Sequence, residues 1–173
     1  TILVKKFLAI LVLGFLVSGC LMTTHEVKGT FEPNMASWIN KKGNATITGQ
    51  AFLNQKGGTV VTCAGNYVWL TPVNSYSSER MQLLYGSTTK GYLSDLDSSF
   101  IKLTPVPPSS YNELAKQTQC DAQGNFKFKN IPSNKEYFIT TMVKWGIEWT
   151  KEGGHLMLKV KTEPNEILEV ILN

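Results

Sequence analysis

From residue 45 onward the apolar positions fall in short runs, and most of these runs alternate apolar with polar residues. Leu168, Val170 and Leu172 share one face of the last run while Glu169 takes the other, the period-two pattern of a half-buried strand. Phe126 and Phe128 alternate with Lys127 and Lys129 in the same way. The β-rich runs are 45–53, 59–63, 67–71, 125–129, 136–145, 155–161 and 167–172, and clusters of Gly, Asn and Pro separate them. Gln55-Lys56-Gly57-Gly58 and Glu152-Gly153-Gly154 put residues tolerant of positive φ where hairpins would turn. The pattern predicts an all-β sandwich of about seven strands.

Two short helices interrupt that pattern. Ser110-Tyr111-Asn112-Glu113 fits a capping box, and Pro107-Pro108 blocks extension backwards, which predicts a helix over 111–117. Ser78 would cap a second helix over 79–85. Both lie in an excursion, residues 76–119, whose stretch 86–108 carries enough aromatic and proline residues to predict a packed loop. Residues 20–44 are polar and aperiodic and read as a tether, which as a flexible chain would reach roughly 27 Å. Phe31, Met35, Trp38 and Ile39 are too apolar for a pure linker, so an extra strand or turn packed on the domain is an equal reading.

At the start of the chain Lys5 and Lys6 precede an apolar run, residues 7–17. That run is too short to cross a hydrocarbon core about 30 Å thick and reads as the apolar core of a signal peptide. Val17-Ser18-Gly19-Cys20 follows and resembles the bacterial lipobox. The resemblance implies cleavage of residues 1–19 and lipidation of Cys20, which anchors a protein to a membrane without spanning it. A small buried cysteine closing a core helix is the alternative. Leu21 after the cysteine resembles the outer-membrane sorting pattern. The expected location is the bacterial cell envelope, outer membrane favoured.

With Cys20 lipidated, Cys63 and Cys120 remain as an even pair in an exported chain, which predicts a disulfide. Two free thiols or a redox pair are the alternatives, the latter without the CxxC spacing that lowers a thiol's pKa. Gly49-Gln50-Ala51-Phe52, Gly57-Gly58, the segment 62–72 and Cys120-Asp121-Ala122-Gln123-Gly124-Asn125-Phe126-Lys127-Phe128 with Ile131-Pro132 resemble carboxypeptidase regulatory-like domains. The resemblance covers about 45–173 and implies a prealbumin-like Greek-key sandwich. Such domains usually carry no catalytic residues, so it also implies a spacing, folding or binding module, although fold alone does not decide function. Asp121-Ala122-Gln123-Gly124 is a turn on physical grounds alone, since Asp bonds backbone donors downstream and Gly accepts a left-handed conformation.

Charge changes the picture mainly by exclusion. The 173 residues hold 17 basic and 13 acidic groups. Loss of Lys5 and Lys6 with the leader would leave 15 basic groups against 13 acidic, close to balance. The lysines are scattered and Arg80 is the sole arginine, so no focused basic patch predicts nucleic acid as a partner. No HExxH, CxxC, GxGxxG or GxxxxGK motif occurs, and no metal or cofactor is expected. Asp95 and Asp97 lack the later oxygens of a calcium loop and read as a solvated loop. His155 reads as a strand-edge residue; as a general base it would need a nucleophile and a carboxylate beside it.

Aromatic residues supply the remaining lead. Trp145 and Trp149 sit near a strand end and could stack against a glycan or a partner's side chain, with packing as the alternative. Tyr67 and Trp69 share a strand face and read as core. The whole pattern predicts a non-enzymatic, lipid-anchored envelope protein: signal peptide 1–19, lipidated tether 20–44, sandwich 45–173. Its expected role is a scaffold or adaptor for another envelope protein; the alternative is a glycan- or peptidoglycan-binding module.

Overall fold

A computed structural model describes residues 21–146, 150 and 152–173; the leader, Cys20 and Trp149 lie outside the described residues. The fold is an all-β sandwich with eleven strands among those residues. In chain order these are β1 (Thr23–Glu26), β2 (Ala45–Asn54), β3 (Val60–Thr62), β4 (Tyr67–Pro72), β5 (Lys90–Ser94), β6 (Ile101–Thr104), β7 (Lys116–Gln119), β8 (Asn125–Ile131), β9 (Lys135–Trp145), β10 (Glu152–Thr162) and β11 (Ile167–Leu172). The helices are α1 (Ser75–Tyr85), α2 (Asp95–Ser98) and α3 (Ser109–Glu113).

Strand alternation builds the two layers. One sheet runs β5-β10-β9-β4-β7. The facing sheet is centred on β2, which pairs parallel with β11 and antiparallel with β3 and β8. Inward positions from both sheets, among them Ile47, Val68, Leu70, Phe128, Ile139, Leu156 and Leu172, form one sealed core. Phe126 and Phe128 enter it while Lys127 and Lys129 stay exposed. On β9 the run Tyr137, Phe138 and Ile139 is buried on both faces, because Phe138 turns away from the main core to meet Met81 of α1 and Met157 of β10.

All seven predicted strands are present, and the four further ones come from the expected tether and from the excursion 76–119, where β7 takes residues 116 and 117 of the expected helix. The Asp121 turn forms as expected: its Oδ1 accepts from the Gln123 and Asn125 amides at 2.9 and 2.8 Å, and Gly124 takes φ 81°. The segment 21–44 is not a free tether. Its β1 pairs in parallel with β6. Beyond it, Val27, Phe31 and Ala36 pack with Tyr76 and Tyr111 in a second apolar cluster, and Ile39 enters the main core. Burial of those side chains outweighs the polar composition around them. Glu79 of α1 holds the segment by accepting from the Lys28 and Gly29 amides at 2.7 and 2.8 Å.

Both helix starts differ from expectation. The cap of α1 is Asn74, whose Oδ1 accepts from the Ser77 amide at 2.8 Å while the Ser77 hydroxyl accepts from the Asn74 amide at 2.9 Å. Ser78 therefore lies inside the helix, and Gly86 ends it in a left-handed conformation. Helix α3 starts two residues earlier than expected, behind Pro108 and without a side-chain cap, and ends at Glu113. Residues 116–119 leave it to form β7, because the open edge of β4 offers them ladder hydrogen bonds. The excursion thus supplies both edge strands, β5 and β7, of the five-stranded sheet. Cys63 and Cys120, both buried and 57 residues apart, form a disulfide that ties the exit of β7 to the sandwich.

Candidate functional site

Strand β4 presents opposite characters to its two sides. Val68 and Leu70 are fully buried, whereas Tyr67 and Trp69 are 55% and 37% exposed on the outer face. The expectation that this pair is core is therefore corrected. Met81 of helix α1 covers Phe138 and Met157 on the outer face, while Tyr67 and Trp69 at the start of β4 stay exposed. Tyr67 and Trp69 stand two residues apart on one face, about 7 Å along the strand.

Cross-strand register sets polar side chains beside the rings. Trp69 pairs with Thr140 of β9 and with Gln117 of β7, and Tyr67 pairs with Gln119. Directly paired residues share a face. The strand end is held firmly: the Thr141 hydroxyl donates to the Tyr67 carbonyl at 2.8 Å, and the Asn66 amide group donates to the Met142 carbonyl at 2.8 Å.

Two cavities adjoin on this face, and Trp69 and Thr140 line both. One, of about 320 Å³, is bounded by Tyr67, Tyr85, Met142 and His155. The other, of about 380 Å³, is bounded by Thr71, Arg80, Tyr111 and Asn112. Through these two shared residues the cavities meet at Trp69, and together they are called the groove. A larger depression of about 670 Å³ lies elsewhere, among Thr48, Gln50, Asp121, Lys127, Glu169 and Ile171. Its one aromatic, Phe126, is buried, so it has no ring on which a ligand could stack.

Burial acts on the tyrosine and histidine groups that line the groove. Burial pushes the hydroxyls of Tyr85 and Tyr111 up to about 12, so both remain protonated. His155 is half-buried, and burial first, then the Lys144 ammonium, lowers its pKa. Asp95 opposes that shift, with Oδ1 3.7 Å from His155 Nε2 and 2.7 Å from Lys144 Nζ. The Lys144 contact compensates the Asp95 charge, and the neutral imidazole is left as a hydrogen-bonding wall of the groove. Arg80 stacks its guanidinium over Tyr76 and Tyr111, 5.7 and 5.4 Å from the ring centroids.

The predicted site residues are dispersed. Trp145 is half-buried and packs against the main core. Its proposed companion, Trp149, lies outside the described residues, as does the lipidation candidate Cys20. Cys63 and Cys120 are bonded to each other. His155 lines the groove instead of an open strand edge, and Asp95 belongs to its surroundings. No group of three or more His, Cys, Asp or Glu side chains among the described residues could hold a metal ion. No helix among them is long and apolar enough to cross a membrane.

These observations define a β-sandwich whose excursion frames an aromatic groove on an open sheet face. No protein-family model and no curated protein matches the chain. Among solved structures it is similar to a crystal structure from Pseudomonas aeruginosa, described there as a "putative carbohydrate binding protein". The TM-score is 0.68 and the identity 21%, over 83% of this chain and 97% of that one. At that identity the likeness establishes the shared fold.

Proposed function

We propose that the protein is a carbohydrate-binding module of the bacterial envelope, with the groove around Trp69 as its sugar site. The single observation that carries this reading is the exposure of Tyr67 and Trp69 on a rigid sheet face, side by side and edged with hydroxyl and amide groups. A pyranose ring has an apolar face of C–H groups and a rim of hydroxyls. Flat rings beneath and Gln117 and Thr140 at the sides complement both parts. The Pseudomonas aeruginosa structure of the same fold is described as carbohydrate binding, which supports the same choice. Sugar binding of this kind requires no bond-making group, and we assign the protein no catalytic role.

The module acts, in this proposal, as a lipid-anchored protein. Cys20 of the lipobox supplies the anchor, and it precedes β1 by two residues, Leu21 and Met22. A linker of that length spans about 7–10 Å at most. The sandwich would therefore sit against the membrane surface and present its groove from there, also to a partner protein that carries the glycan. Mass spectrometry of the protein expressed with its leader tests the anchor: a diacylglyceryl group on Cys20 and loss of residues 1–19 are expected. Binding is tested by calorimetry with soluble xylo-, chito- and galacturono-oligosaccharides. Trp69→Ala is expected to weaken the binding at least about tenfold; no binding to any of them, or unchanged binding by the variant, contradicts the proposal.

A further inference from the structure

Within the groove one charge has no acidic partner among the described residues. Arg80 lines the cavity that Trp69 also lines, and it has no carboxylate within ion-pair distance among the described residues. Its Nη1 is buried and has no hydrogen-bond partner. The neighbouring acid, Glu79, is engaged with the Lys28 and Gly29 amides. The other charged groups near this face, Asp95 and Lys144, are paired with each other. Around the guanidinium stand the Tyr111 hydroxyl, which accepts a hydrogen bond from it, and the rings of Tyr76 and Tyr111, themselves 5.1 Å apart in an edge-to-face arrangement with Phe31 packed on both. Ring faces attract the cation but accept few of its five donors.

A half-buried arginine without an anion is costly for a fold to retain, since ring contacts offset only part of the desolvation of its charge and donors. The two ring contacts and the Tyr111 hydroxyl use part of the guanidinium, and no carboxylate among the described residues pairs with its charge. The forked guanidinium is the side chain best matched to a carboxylate. We propose that the groove takes an acidic sugar, with the carboxylate held by Arg80 and the pyranose ring laid on Trp69. This deepens the carbohydrate reading and rests on it. The ligand class is a glycan bearing uronic-acid or similar carboxylate-substituted rings.

The experiment compares ligands that differ only in charge. Short oligogalacturonate and its fully methyl-esterified form have the same rings, and oligomannuronate with its ester gives a second pair. Each is titrated by calorimetry into the wild-type chain, R80Q, R80K and W69A at one fixed ionic strength. The wild type is expected to bind at least one acid about tenfold or more tightly than its ester. R80Q should bring the acid down to the level of its ester, R80K should keep part of the preference, and W69A should weaken acid and ester alike. Equal binding of acid and ester by the wild type overturns the inference and leaves the carbohydrate reading standing. So does an acid preference that survives in R80Q, or tighter binding of glucose 6-phosphate than of either uronate. If neither acid nor ester binds, both this inference and the carbohydrate reading fail for these glycans. Should R80Q lose its fold by circular dichroism, the wild-type comparison of acid with ester still decides.

Discussion

The two sides of β4 have similar hydrophobicity and opposite fates. Val68 and Leu70 disappear into the core between the sheets, while Tyr67 and Trp69, one residue away in each direction, remain open to solvent. Folding accounts for the first pair, since burying a large aliphatic side chain stabilises by about 1.5–3 kcal/mol. It does not account for the second. Large rings left uncovered on a rigid sheet stand where a ligand would cover them, and contiguous exposed apolar surface of that kind commonly marks an interaction site. The difference teaches that on this strand one face is kept for stability and the other for contact.

The largest expected effect is on what both faces share. Replacing Cys63 and Cys120 together by serine frees a loop of 57 residues and should cost about 4 kcal/mol on the loop-entropy model. Urea denaturation measures this, and a loss below about 1 kcal/mol would show that the bridge constrains little. Next comes Leu70→Ala on the inner face, at about 2–5 kcal/mol from lost burial and a cavity. Trp69→Ala should shift the urea midpoint by less than about 1 kcal/mol while it abolishes most glycan affinity. If the two substitutions on β4 destabilise equally, the contrast between the faces collapses.

The smallest effect concerns the N-terminal segment that packs beside the groove. The Lys28 and Gly29 amides hold the Glu79 carboxyl below its ordinary value of 4.5. A carboxylate that titrates lower in the folded chain stabilises fully above its unfolded value, and the contribution fades as pH falls through the lowered one. Hydrogen exchange should therefore quicken at residues 23–31 as pH falls below about 4.5, after correction for intrinsic rates, while β9 stays protected. Glu79→Gln should reproduce the change at neutral pH. Equal loosening of β9 would mean that the segment and the sandwich open as one unit.

Much of the sandwich was legible in the sequence because its strands carry their own pattern. Phe126 and Phe128 alternate with lysines, and the last strand alternates Leu168, Val170 and Leu172 with Glu169 and exposed Ile171. The segments that escaped notice lack such a pattern. Strand β7 is Lys-Gln-Thr-Gln and exists because β4 has an edge to fill; β1 is Thr-Thr-His-Glu and exists because β6 lies alongside. Tertiary pairing creates both strands, and local propensity is silent about it. The groove was illegible for a related reason. A strand apolar on both faces announces two buried sides, and only the placement of α1 reveals that one of them is left uncovered at Tyr67 and Trp69. Trp145 drew attention by its ring, but its position on β9 sends it against the core.

The direct test of the sugar site is the indole N–H spectrum of the ¹⁵N-labelled protein during titration with oligogalacturonate, with Trp69 assigned by its disappearance in Trp69→Phe. The Trp69 signal is expected to move in a saturable way. The Trp38 signal, whose Nε1 donates to the Met35 carbonyl at 3.1 Å, should stay in place. A ligand that binds while Trp69 remains unmoved, with shifts instead at Trp145 or around Gln50 and Glu169, would contradict the account.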